Sequence, residues 1–465
     1  MRLSGILPWL LPTVAGLALA APHFTDELFY DESYTLEWSA GSSAFFHYRE
    51  PNNHVLFGAA LGLWRHVLPL RLLPAVLFAG AILLVVASGV RLAGRTGGLL
   101  AGLVFATSHV TIEFALQLRG YGPSWVPVAA GWFALLLDRN ELRWRRAALY
   151  AAAAFIGVGI LPTNVVPFAI LSGWSVATAL ACRDRRALAP AALMAFAPAA
   201  GFLCYLGIWS QLVRMARTYT SSASVPSVFA EWHAATLLDL WWAWPAAIAG
   251  MFLLARESRA TSLLWLLCAI VPPAAYALAA NVPYTRTLVP LLPLWLGLIG
   301  VAAATALGRL ASWHAHAPRA AAAIMVIALL GTAVWREATG AGYESRHPEG
   351  ARPMSVYDNY FHHRFRPSEA ALAVARHAGT GPLLILTDDS DHEALRRALC
   401  RHGLAGQLLV VNPAMRASGT EDWRVLLVTR GPGHAQLMVD RTELGRRPRL
   451  VADTGFFKVY AADEN

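Results

Sequence analysis

The stretch "LFYDESYTLEWS" (28–39) sets two adjacent carboxylates, Asp31 and Glu32, among aromatic residues with no lysine or arginine beside them. A carboxylate so placed can take a proton from a hydroxyl or an amine. Farther along stand His54 in "REPNNHVLF", then Glu113, Gln117 and Tyr121 with Arg119 among them, and Arg286 in "NVPYTRTLVP". The spacing of four puts Glu113, Gln117 and Tyr121 on one face of a helix. A guanidinium suits a pair of phosphate oxygens, which it holds through bidentate, charge-assisted hydrogen bonds. One base and one or two such arginines are enough to move a group off a phosphate, because the phosphate leaves as a weak base. Glycoside hydrolysis differs, since there two carboxylates must flank the bond.

The chain that must position these residues is unusually apolar. Of its 465 residues 56% are hydrophobic and 14% charged, with a mean hydropathy of +0.45. An ordinary soluble domain carries about a quarter charged residues. Successive apolar stretches of roughly 20 residues indicate an α-helical polytopic membrane protein. Eleven spanning helices are expected, at 3–22, 71–90, 98–116, 122–138, 147–161, 166–182, 188–209, 236–254, 261–280, 288–307 and 320–336. "LPTN" (161–164) reads as a turn between two of them. The net charge of +9 is almost wholly arginine, Lys458 being the one lysine. Those arginines cluster in short loops between apolar stretches, which argues for topology and against a nucleic-acid partner. The four cysteines show no zinc or disulfide spacing.

Arginine placement sets the orientation. Alternate loops carry Arg91 and Arg95; Arg139, Arg143, Arg145 and Arg146; Arg183, Arg185 and Arg186; Arg256 and Arg259; Arg309 and Arg319. The positive-inside rule makes that side cytoplasmic, so the N-terminus is inside and residues 23–70 and 337–465 are outside. The start "MRLSGILPWLLPTVAGLALAAP" also has the pattern of a cleavable signal peptide, and either way 23–70 lies outside. In a cell this is the (inner) cell membrane, with lipids around the helices. The first outer loop is rich in Tyr, Trp and Phe, and its two apolar stretches read as helices lying at the outer interface.

From 337 the composition is that of a soluble domain. "PLLILTDDSD", "QLLVVNP", "WRVLLVTRG" and "FFKVYAAD" are strand-like, and "DHEALRRALCRHG" has helical spacing with a closing glycine. The expected organisation is thus a transmembrane domain, 1–336, followed by a small extracytoplasmic α/β domain, 337–465. "TDDSD" (387–391) reads as a solvated strand-end loop rather than a metal and nucleotide-sugar site.

On this topology Asp31, Glu32, His54, Glu113, Arg119, Tyr121 and Arg286 all approach the outer membrane surface. A phosphate bound there would belong to a lipid. Five of these residues also have a plainer reading. Asp31 can be a helix N-cap, Arg119 and Arg286 can be interface anchors, and Glu113 and His54 can be structural.

The order of these elements resembles the GT-C glycosyltransferases, of the protein O-mannosyltransferase and aminoarabinose-transferase type. The stretches that carry the resemblance are "LFYDESYTL" (28–36), "LRLLPAVLFAG" (70–80), "LQLRGYGPS" (116–124) and "YTRTLVPLLPL" (284–294). It implies transfer of a sugar, with inversion, from a polyprenyl-phosphate donor to a lipid, glycan or protein acceptor on the outer face. It also implies that Asp31 is the catalytic base and that Glu32 supports it. Arg119, Tyr121, Arg286, His54 and Glu113 are then the candidate substrate-binding residues. A divalent cation is required by some members and not by others, so metal ligands stay open. The sequence departs from the family where His54 is followed by Val55 and Leu56 instead of two prolines, and where Thr287 follows Arg286. The rival, non-enzymatic reading is a lipid-linked saccharide transporter or an envelope scaffold; no internal repeat of the transporter kind is visible.

Overall fold

The computed structural model describes residues 6–25, 32, 35–36, 39, 54–137, 143–181, 185–218, 224–237, 244–278, 285–311, 317–339, 367–387, 392–410, 423–429, 435, 438, 447–453 and 457–463. The chain divides into two compact units, one of Met1–Phe24 with Thr35–Asp358 and one of Thr25–Tyr34 with Asn359–Asn465.

The first unit is helical. Among the described residues six helices are long and apolar enough to cross a membrane, and four shorter apolar helices of 10–17 residues accompany them. The protein is a multi-pass membrane protein. The expected count of eleven spans is not reached by this criterion among the described residues, because Leu72–Thr107 counts once though it holds two of them and several apolar helices are too short for a hydrocarbon layer of about 30 Å. Trp125–Leu135 has 11 residues, hence a length of about 16 Å. Val55–Trp64 has 10, which agrees with reading that stretch as too short to span.

The longest helical stretch, Leu72–Thr107, has 36 residues and would be about 54 Å long if straight. It instead reverses. Ala93 (φ −141°, ψ 29°) and Gly94 (φ 65°, ψ −164°) leave the helical region, and the limbs fold back on one another. Their backbones nearly touch. A Cβ on Gly89 would lie 2.6 Å from the Gly97 oxygen, and one on Gly98 would lie 2.9 Å from the Val86 oxygen. The expected spans 71–90 and 98–116 are thus the two limbs, except that the second stops at Thr107. Ser108 (φ −63°, ψ 134°) is extended, and a separate short helix, His109–Ala115, follows.

Leu292–Ala311 packs on this hairpin and is almost wholly buried. Gly300 lets the two backbones approach, since a Cβ there would lie 2.5 Å from Ala101 N and Cα. Arg143–Ile160 and Val165–Ala181 are joined by the expected turn, Pro162–Asn164. Asn164 Nδ2 donates to the Gly157 carbonyl at 2.6 Å and so closes the preceding helix. The Tyr150 hydroxyl donates to the Phe168 carbonyl at 2.8 Å. Buried polar groups in lipid are held this way because nothing else can satisfy them.

The second unit contains a five-stranded sheet of order β2-β1-β3-β5-β4. Its strands are β1 (Leu383–Thr387), β2 (Leu408–Val410), β3 (Arg424–Thr429), β4 (Arg447–Asp453) and β5 (Lys458–Asp463). β1 pairs in parallel with both β2 and β3, and β5 pairs antiparallel with β3 and β4. Helix His392–Cys400 makes the crossover from β1 to β2. Its closing glycine, Gly403, takes φ 70°, which only glycine adopts freely. One face of the sheet buries Ile385, Leu426, Val428 and Val459 under Ala370, Val374, Leu395 and Leu399. The other face buries Leu386, Leu427 and Tyr460 with Ala435 and Met438. Four strands fall where the sequence reading expects them. β4 was not among them, because "RPRLVAD" carries two arginines and a proline. An edge strand tolerates both, since one side needs no partner.

Candidate functional site

Of the candidate residues, Asp31 lies outside the described residues. Glu32 is helical and fully buried, and its segment belongs to the second unit. The remaining candidates, His54, Glu113, Arg119, Tyr121 and Arg286, belong to the first unit.

Arg119 and Tyr121 stand in "RGYG" (119–122), between helix His109–Ala115 and helix Trp125–Leu135. The helix under Glu113 stops at Ala115, with Leu116 already at φ −107°, ψ 4°. The helical spacing expected to align Tyr121 with Glu113 therefore fails beyond Gln117, whose Nε2 still donates to the Glu113 carbonyl at 3.1 Å. What positions Tyr121 is a tight turn. Its two glycines have no room for side chains. A Cβ on Gly120 would lie 2.5 Å from His54 Nδ1 and 3.1 Å from the Ile160 oxygen, and one on Gly122 would lie 2.5 Å from the Phe114 oxygen. Ser124 Oγ closes the turn by donating to the Tyr121 carbonyl at 2.6 Å.

Tyr121 is the centre of the cluster. The Arg119 guanidinium carbon lies 4.9 Å from its ring centroid, a cation–π contact worth about 0.5–2 kcal/mol. His54 meets the ring edge-on at 5.6 Å and Phe114 does so at 5.4 Å. Arg119 is fully buried, and His54, Glu113 and Gln117 are nearly so.

Arg286 comes from the 3₁₀ turn Thr285–Leu291. That turn is pinned to the start of helix Trp125–Leu135, because Trp125 Nε1 donates to the Val289 carbonyl at 3.0 Å. Trp125 is itself fixed by Phe105 at 5.4 Å and Phe78 at 6.0 Å, one from each limb of the hairpin. One indole thus relates the segment bearing Arg119 to the segment bearing Arg286. Thr287, where the sequence departs from the family pattern, shares a hydroxyl–hydroxyl hydrogen bond with Tyr276.

His54 precedes helix Val55–Trp64, and its ring is buried. Burial, then the Arg119 guanidinium, then that of Arg286, hold its imidazole well below the usual histidine range; the Ile160 carbonyl offsets this in part. The site thus sets two permanent cations around an imidazole that is neutral at pH 7. Such a set can hold an anion and offer it a neutral hydrogen-bond donor.

Arg71 was not singled out from the sequence, although it lies in a stretch that carries the resemblance. It is buried, and its Nη1 donates to the Leu116 carbonyl at 2.9 Å. It therefore caps the C-terminal end of helix His109–Ala115 just ahead of Arg119. An arginine beside a helix end gave no sequence signal because the two are brought together only by folding. Among the described residues no group of three His, Cys, Asp or Glu is placed to hold a metal ion.

The chain shares the GT-C fold of the membrane glycosyltransferases whose solved structures it resembles. Solved structures that share it include ArnT from Cupriavidus metallidurans bound to undecaprenyl phosphate, 15% identical over 99% of each chain with a TM-score of 0.59. The same protein in the apo state is 13% identical over 97% of each chain, with a TM-score of 0.54. The Archaeoglobus fulgidus oligosaccharyltransferase in complex with zinc and sulfate is 13% identical over 98% of this chain and 73% of that one, with a TM-score of 0.52. No family model matches the sequence, and no curated protein matches it.

Proposed function

We propose that the protein is an integral-membrane glycosyltransferase that moves a sugar from a polyprenyl-phosphate donor to an envelope acceptor. The observation that carries this reading is the buried cluster of Arg119, Tyr121 and His54 with Arg286 acting on the same imidazole. It occurs in a fold whose solved examples include one bound to undecaprenyl phosphate.

In this reading Arg119 and Arg286 hold the donor phosphate oxygens, with His54 a neutral donor beside them. Asp31 takes the proton from the acceptor hydroxyl or amine as that atom attacks the anomeric carbon. The bond from that carbon to the phosphate oxygen breaks, and polyprenyl phosphate leaves with the electron pair. Attack from the face opposite the phosphate inverts the anomeric centre. Glu32 orients Asp31. The site faces outward from the inner membrane, as the arginine distribution of the loops suggests.

The test supplies purified protein with polyprenyl-phosphate sugars and envelope acceptors, and measures free polyprenyl phosphate. Wild type should release it, and Asp31→Asn, still folded, should release at least about a hundredfold less, the loss expected of a general base. Equal release by both proteins would remove Asp31 from the chemistry. A donor recovered intact but moved across a vesicle membrane would favour a transporter.

A further inference from the structure

We infer that the α/β unit carries a binding site of its own, for a saccharide, at the carboxyl ends of β1 and β3. This does not depend on the function proposed above.

The first observation is topological. From β1 the chain crosses to β2 on one side, whereas from β3 it continues to β4 and β5 on the other. Connections that leave neighbouring parallel strands in opposite directions open a crevice between their carboxyl ends, where ligands of open α/β sheets bind. Here that point lies between Thr387 and Thr429.

The second observation is an unanswered polar group at that point. Both threonines are buried, Thr387 at 1% and Thr429 at 2% exposure. The Thr387 hydroxyl donates to the Val428 carbonyl at 3.0 Å. The Thr429 hydroxyl has no hydrogen-bond partner among the described residues. A buried hydroxyl without a partner is unfavourable, so the position favours a group that can meet it.

The third is what lies beside it. Thr429 is paired in register with Lys458, and Lys458 with Asp453. Lys458 Nζ lies 3.7 Å from Asp453 Oδ2, with both side chains partly open to solvent. Lys458 is the single lysine in a chain whose other basic residues are all arginine. From the crevice outward the sheet edge therefore offers a hydroxyl, an ammonium and a carboxylate. An ammonium only donates, a carboxylate only accepts, and a threonine hydroxyl does both. A free anion would match the lysine but meet the carboxylate; a cation would do the reverse. Neighbouring sugar hydroxyls, each donor and acceptor at once, suit the Thr429 hydroxyl and the adjoining Lys458–Asp453 pair alike.

The single lysine also supplies the probe. Reductive methylation of the full chain in detergent with ¹³C-formaldehyde labels Lys458 and the terminal amine, which serves as the internal control. Titration with glucose, galactose, mannose, arabinose and maltotriose should move the Lys458 signal saturably for at least one of them and leave the terminal signal in place. Thr429→Val, nearly the same shape, should weaken that sugar about tenfold, and the exposed change Asp453→Asn should weaken it similarly. The inference is overturned by a Lys458 signal that no sugar moves, by saturation with inorganic phosphate alone, or by equal affinity in both variants and wild type.

Discussion

At the residue scale the site rests on groups that have almost no freedom. Gly122→Ala sets a Cβ against the Phe114 carbonyl, a backbone atom that cannot swing away. We expect a loss of about 1–3 kcal/mol, read as a lower melting midpoint in detergent. Gly120→Ala meets the His54 ring instead, and should reduce turnover more than stability; a loss of stability equal to that of Gly122→Ala would argue against this. His54 gives a pH prediction. Its folded pKa lies below the unfolded value of about 6.5, so the unfolded chain binds the proton first as pH falls. The stability it contributes is complete above about pH 6.5 and drains away as pH drops toward the depressed folded value. The melting midpoint of wild type should therefore fall more steeply below about pH 6.5 than that of His54→Gln, and parallel profiles would remove His54 from the titration.

At the element scale the hairpin and the Trp125 anchor matter most. Gly94 is left-handed with open space around it. Gly94→Ala should thus cost about 1–2 kcal/mol from backbone strain alone, whereas Gly98→Ala drives a Cβ to 2.9 Å from the Val86 carbonyl and should cost more; equal midpoints would contradict the close packing of the limbs. Trp125→Phe keeps the ring contacts but loses the hydrogen bond to Val289. If that bond sets Arg286, donor affinity should fall while the acceptor KM holds. This is also the scale at which the sequence was most and least informative. The hairpin limbs were legible because hydropathy falls at "RLAGR", and the Pro162–Asn164 turn because proline and asparagine punctuate the pattern. The company Tyr121 keeps was not. His54 and Ile160 reach the turn that bears it from segments remote in the chain, and the close approach that needs Gly120 leaves no trace in periodicity. The spacing of Glu113, Gln117 and Tyr121 even pointed the wrong way, since a helical face was read across a stretch where the helix has ended at Ala115.

At the scale of the whole molecule there are two units with separate cores. One is built from apolar helices that detergent supports, the other from a small sheet core exposed to the solvent's denaturant. Unfolding should therefore not be two-state. Urea is expected to move the ¹³C-methyl Lys458 signal to its random-coil position while far-UV helical signal largely persists; one coincident transition by both probes would show the units to be coupled.

The second unit is also discontinuous. Thr25–Tyr34 clusters with Asn359–Asn465, although everything between them belongs to the first unit. During synthesis this short segment, with Asp31 and Glu32 in it, leaves the ribosome among the first residues and its cluster-mates among the last. At about 5–20 residues per second, it waits on the order of 20–90 s before its unit can close. A nascent chain halted between Arg286 and residue 359 carries Arg119 and Arg286 but lacks the residues with which Thr25–Tyr34 clusters. On the function proposed above, activity waits for the C-terminal residues with which that segment clusters.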